Sequence, residues 1–178
     1  MPDLFESLIE ERSLLMVDQK DGISSADLDR LHAYVPRFRQ RCGQLQEYGI
    51  SATLVNTDLC FVNIGFTRKG PVFFDWAESV VTSPLCSMRM FMLDVADAFP
   101  GDDRASTVLR DAYLSAAVPD QPPTRVAEAF RLIEPVSLVG RALTWRDCLR
   151  EVPQHRRLEG SAAVPRNMRA LLALTGDG

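Results

Sequence analysis

Apolar residues recur at helical spacing over most of this chain, but between Thr53 and Phe74 the period changes. Thr53 to Val55 is a short β-rich run. Asn63 to Thr67 and Val72 to Phe74 flank the turn Arg68-Lys69-Gly70-Pro71, the pattern of a small hairpin. The expected architecture is therefore mainly α with one small β-hairpin embedded in it, an α+β arrangement in a single domain spanning residues 1–178.

The helices can be read from their ends. Asp3, with Glu6 three residues on, forms a capping-box pattern for a first helix running to about Val17, and the polar run DQKDG ends it. Ser24 or Ser25 starts a second helix toward Tyr34. Pro36 opens a third that stops near Gly49. Ser83-Pro84 is a cap followed by proline at the first helical position, predicting a helix to about Phe99. A further helix runs from Asp102 or Asp103 to Ala117. VPDQPPT, with three prolines in five residues, reads as an interhelical loop. Thr124 starts a long helical pattern to about Glu151, bent or divided at Pro135, and a short last helix covers Pro165 to Leu174. Met88, Met90, Phe91, Met92 and Leu93 read as helical core.

Composition narrows the function classes. The net charge of −4 argues against nucleic-acid binding, which calls for a basic face. Cys42, Cys60, Cys86 and Cys148 form no C-x-x-C pair and lie far from His32 and His155, so a zinc site is not indicated and reduced, mostly buried thiols are expected. The start MPDLFESLIEER is acidic and amphipathic, unlike a signal peptide, and no apolar run approaches the roughly 18 residues of a membrane span. The expected setting is cytoplasmic, with no membrane and no nucleic-acid partner. His32 carries no partner signal, and His155, Arg156 and Arg157 read as a solvated loop.

The segment with a chemistry of its own is LVNTDLCFVNIGFTRKGPVFFDWAESVVTSP, Leu54 to Pro84. Asp58 follows the short strand, Asn63 opens the hairpin and Asp75 closes it, so the chain reversal can bring Asn63 and Asp75 together. Mg²⁺ takes oxygen ligands and combines one or two side chains with water and substrate phosphates. Asp75 offers charge and Asn63 a neutral carbonyl oxygen, with Asp58 nearby to accept or orient a hydroxyl proton.

This segment resembles the catalytic and metal-binding stretch of the aminoglycoside phosphotransferase family, a branch of the protein-kinase-like fold that includes choline kinases. Members read like LVHGDLHxxNV, then a hairpin, then an apolar strand into Asp-Trp, then a proline-containing helix start. The matching residues are Leu54, Val55, Asp58, Leu59, Asn63, Phe73, Phe74, Asp75, Trp76 and Pro84, and LQEYGISATLV before them is similar to the family's approach to the loop. The likeness covers roughly 35 residues and follows the kinase logic of a catalytic Asp, a metal-binding Asn and a strand-end metal-binding Asp. It implies Asp58 as catalytic base, Asn63 and Asp75 as magnesium ligands, Mg²⁺ and ATP as cofactors, and a small-molecule hydroxyl as acceptor.

The chain also departs from the family. Asn56-Thr57 stand where the family has His-Gly, and Ser83 replaces the acidic residue before the proline. The residues before Asp58 read as helices, and neither lysine, Lys20 or Lys69, lies on an apolar strand. The resemblance thus implies the helical C-terminal lobe of the protein-kinase-like fold with the N-terminal ATP-binding β lobe absent. Phosphoryl transfer is expected to be weak unless a partner chain supplies the missing half. The alternatives are a truncated or degenerate relative serving as a binding or interaction module, with a homodimer or partner chain covering the exposed lobe face, and a plain helical scaffold.

Overall fold

The computed structural model describes residues 1–152 and 162–176. His155, Arg156 and Arg157 lie outside the described residues. The chain is mainly helical with two small antiparallel sheets, and it divides into two compact units. One comprises residues 1–45 with residues from 135 onward; the other comprises 46–134.

The first unit contains α1 (Pro2–Ile9), nearly all of α2 (Ser25–Glu47), α6 (Glu134–Glu151) and α7 (Ala163–Thr175). Phe5, Leu8 and Ile9 are the buried face of α1. The first helix is shorter than its apolar pattern suggests, because residues 10–24 form turns. Met16, Asp18 and Asp21 take left-handed conformations there, and the Asp18 carboxylate accepts from both the backbone N–H (2.8 Å) and the hydroxyl (2.5 Å) of Ser25. Such local side-chain bonding competes with helix. Leu14, Leu15 and Ile23 are buried from this loop all the same. Gly22 is required in it, since a Cβ at that position would lie 1.8 Å from the Met16 carbonyl oxygen. The capping box expected at Asp3 and Glu6 does not form. The helix starts at Pro2, and both carboxylates accept from Arg39 Nη2, at 3.0 and 2.6 Å.

Two predicted helices, to Tyr34 and from Pro36, are one continuous α2 with Pro36 inside it. An internal proline costs about 3 kcal/mol. Leu28, Leu31, Tyr34 and Phe38 share the buried face, and each contributes roughly 1.5–3 kcal/mol on burial, which outweighs the proline. The Phe5 and Phe38 rings meet at 4.9 Å between centroids. Ser24 caps α2, its Oγ accepting from the Asp27 N–H at 3.0 Å and donating to the Asp27 carboxylate at 2.9 Å. His32 Nδ1 lies 3.8 Å from a Glu10 carboxylate oxygen.

The second unit holds β1 (Thr53–Asn56), β2 (Ile64–Thr67), β3 (Gly70–Phe73) and β4 (Ser79–Thr82), followed by α3 (Met88–Ala98), α4 (Asp103–Ala117) and α5 (Pro123–Leu132). β2 and β3 form the expected hairpin, with Thr67 opposite Gly70 across a two-residue turn, Arg68-Lys69. Gly70 takes φ +120°, a conformation L side chains rarely adopt. β1 pairs antiparallel with β4, a strand the sequence reading did not anticipate; Val55 faces Val80 and Asn56 faces Ser79. Ser83 Oγ accepts from the Leu85 N–H and opens a 3₁₀ turn, Pro84–Ser87, that leads into α3. Asp102 caps α4, and the predicted break at Pro135 is a boundary between α5 and α6 just before that proline.

Met88 to Leu93 is not the uniform core its composition suggests. Met88 is buried, but Met90, Phe91 and Met92 are half-buried and Leu93 is exposed, because one short helix buries only one face. Among the described residues, no helix is long and apolar enough to cross a membrane.

Candidate functional site

Asn56 ends β1 and organises the loop that follows. The residue is only 4% exposed. Its Oδ1 accepts from the Asp58 N–H at 2.9 Å, and its Nδ2 donates to the Asp75 carbonyl at 2.9 Å and, more weakly, to that of Phe74 at 3.4 Å. One carboxamide therefore ties the backbone of Asp58 to that of Asp75. Ser87 Oγ donates to the Asn56 carbonyl at 2.7 Å, and Thr57 Oγ1 donates to the Glu78 carbonyl at 2.8 Å. Asn56 and Thr57 are thus the residues that close the loop.

Asn63 ends a 3₁₀ turn, Phe61–Asn63, just before β2. Its Nδ2 donates to the Asp58 carbonyl at 3.0 Å and to Asp58 Oδ2 at 3.2 Å. Across the hairpin mouth the Phe74 N–H donates to the Asn63 carbonyl at 2.8 Å, which extends the β2–β3 pairing by one step and places Asp75 one residue beyond it. The structure therefore brings Asp58, Asn63 and Asp75 into one neighbourhood.

Asp75 has φ +49°. The left-handed region costs most L residues about 1–2 kcal/mol, and Asp and Asn are the non-glycine types that tolerate it best. Here Oδ1 accepts from the Ala77 N–H at 3.3 Å, a local turn that supports the conformation. Trp76 Nε1 donates to the Phe73 carbonyl at 3.0 Å, fixing the indole against the end of the hairpin.

Two further groups meet the loop. Asp94, on α3, accepts from the Phe61 N–H at 2.5 Å, and the Phe61 and Phe91 rings pack edge to face at 5.3 Å. Burial raises the Cys60 thiol above its ordinary range, and the negative charges of Asp58 and Asp94 add to the rise. Cys60 is therefore a neutral thiol beside two carboxylates. Asp94 was not picked out from the sequence, because its partner lies 33 residues away and its own surroundings read as plain amphipathic helix.

The donor set suits a hard cation in type. With the Asn63 NH₂ directed at Asp58, Oδ1 is the atom of that carboxamide able to bind metal. Asp75 is exposed, so water can fill further positions, as Mg²⁺ prefers. Among the described residues, no group of three or more His, Cys, Asp or Glu side chains is gathered for a metal. Comparison of the chain with protein-family models, with curated proteins and with solved structures finds no match.

Proposed function

We propose that residues 46–134 carry the magnesium- and phosphate-handling part of a phosphotransferase-like domain that uses Mg²⁺-ATP and a small-molecule hydroxyl. The supporting observation is the Asn56 carboxamide, which joins the Asp58 amide to the Asp75 carbonyl while Asn63 holds Asp58 from the other side. Those are the residues the resemblance assigns to base and metal ligands, and a buried side chain organises them. On this reading Asp58 orients the acceptor hydroxyl and takes up its proton, while Asn63 restrains the Asp58 carboxylate through Oδ2. Asn63 Oδ1 and the Asp75 carboxylate hold the metal. Mg²⁺, when bound, neutralises charge on the phosphates.

Lys69 sits exposed in the hairpin turn and Lys20 in a turn of the other unit, so neither is placed like a phosphate-gripping lysine on a strand. The proposed activity of these 178 residues by themselves is accordingly slow.

A second reading, a non-catalytic interaction module, is favoured by the apolar side chains that the second unit leaves open. Val62 is 88%, Phe66 84% and Val81 75% exposed. A homodimer or partner chain would cover such side chains.

Thermal melting with millimolar Mg²⁺ and ATP separates the readings. A ligand that binds only the native state raises the melting temperature by mass action. The phosphotransferase reading expects a shift in the parent that is lost in Asp75→Asn, which keeps the left-handed turn and removes the charge. No shift in the parent overturns it and leaves the interaction module.

A further inference from the structure

A pocket of about 210 Å³ lies between β1, the end of the hairpin and α4, lined among others by Asn56, Leu59, Phe73, Trp76, Ser87 and Tyr113. None of its lining residues is charged. Four of its polar side chains, those of Asn56, Trp76, Ser87 and Tyr113, are engaged within the protein, and the Thr53 hydroxyl lies at its exposed edge. Trp76 Nε1 donates to the Phe73 carbonyl, Ser87 Oγ to the Asn56 carbonyl and Tyr113 Oη to the Pro84 carbonyl at 2.7 Å. The Asn56 carboxamide is taken up by Asp58 and Asp75. Burial pushes the Tyr113 phenol up, so it stays neutral at physiological pH.

A charged ligand finds no counter-charge here, and a strongly polar one finds these donors already committed. What remains, apart from the Thr53 hydroxyl, is aromatic and aliphatic surface. Phe73 and Trp76 line the pocket while staying 44% and 49% exposed, a state large aromatic side chains leave when a ring packs on them. An apolar cavity of about 150 Å³ is enough to hold benzene, so the space suits one or two fused rings.

We infer that this pocket is a binding site for a small uncharged aromatic molecule of about indole size, flanked by Trp76 and Phe73. The site does not depend on the phosphotransferase reading, because none of its lining residues is a proposed metal ligand or base. Asn56 forms part of its wall, so an occupant also braces the side chain that joins Asp58 to Asp75.

The test is a titration of the ¹⁵N-labelled full chain with indole, followed by NMR without Mg²⁺ or ATP. Expected are saturable shifts of the Trp76 indole N–H, the Asn56 side-chain amide and the Ser87 and Tyr113 backbone amides. Benzoate, a charged ring of similar size, should not produce them. Leu59→Trp should abolish the response by filling the pocket. Leu54→Asp, at a lining residue that is 61% exposed and tolerant of change, should weaken it at least tenfold while the spectrum stays folded. The inference is overturned if millimolar indole moves none of these signals, if benzoate moves them equally, or if folded Leu54→Asp binds indole as the parent does. Failure of Mg²⁺-ATP binding alone leaves all of these outcomes unchanged.

Discussion

Replacing Asn56 with Ala should show how strongly one carboxamide holds the loop. The substitution leaves the Asp58 N–H and the Asp75 carbonyl without their 2.9 Å partner, and the contact to Phe74 at 3.4 Å is too long to add much. A buried polar group left unsatisfied costs about 1–3 kcal/mol. Asp75 is exposed, so water can replace part of its loss, and Asp58 is half-buried. The expected cost is about 2–3 kcal/mol, close to one full penalty and part of a second. The assay is urea unfolding followed by Trp76 fluorescence in a Trp145→Phe background, because the two tryptophans fall in different units and Trp76 reports the unit that contains Asn56. With a typical urea slope of about 1–3 kcal/mol per molar, the midpoint should fall by roughly 0.7–3 M. Asn56→Asp adds a test of sign. It keeps an acceptor for Asp58 but turns an oxygen toward the Asp75 carbonyl, so burial and that carbonyl raise the introduced carboxyl above its unfolded value of about 3.9. The penalty is then fully present above the folded pKa, and stability recovers as pH falls from 7 toward 4. A loss under about 0.5 kcal/mol for Asn56→Ala, the range of an unimportant surface change, would refute the reasoning. So would an Asn56→Asp variant with the same pH profile as the parent.

Phe38→Ala should destabilise the first unit by about 3–5 kcal/mol, since the ring is fully buried against Phe5; chemical denaturation checks this. Gly22→Ala should be strongly destabilising, because backbone must move away from the Met16 carbonyl, whereas Gly43→Ala, with open space around its Cβ in α2, should stabilise by about 0.5–1 kcal/mol; paired melting curves decide. The Asp18 carboxyl is held below its ordinary range, first by the Ser25 hydroxyl and then by the Ser25 N–H. Its contribution is present above the unfolded value near 3.8 and is lost as pH falls through the lower folded value, so Asp18→Asn should flatten the acid limb of a stability–pH curve below about pH 4.

Local chemistry made several elements legible. Asp102 at the cap of α4, the Ser83-Pro84 helix entry, the proline-rich break before α5 and the hairpin around Arg68-Lys69 all depend on residues within a few positions of one another. The misreadings came from longer range. Pro36 looked like a helix boundary because its local cost is large, and only the buried face formed by Leu28, Leu31, Tyr34 and Phe38 carries the helix through it. β4 was hidden because Ser79 to Thr82 is short and its partner lies more than twenty residues upstream in β1. At the site, the spacing of Asp58, Asn63 and Asp75 and the hairpin between them could be read directly. Asn56 could not be given its role, because its partners at Phe74 and Asp75 are 18 and 19 residues away and an Asn at a strand end looks locally like a turn residue.

The most direct measurement of the central claim replaces Mg²⁺ with paramagnetic Mn²⁺ and records amide line broadening in the presence of ATP. The account predicts that substoichiometric Mn²⁺-ATP broadens Asp58, Asn63 and residues 74–77 first, and that Asp75→Asn removes the effect. Uniform broadening over the acidic surface, or none at the hairpin mouth, would contradict it.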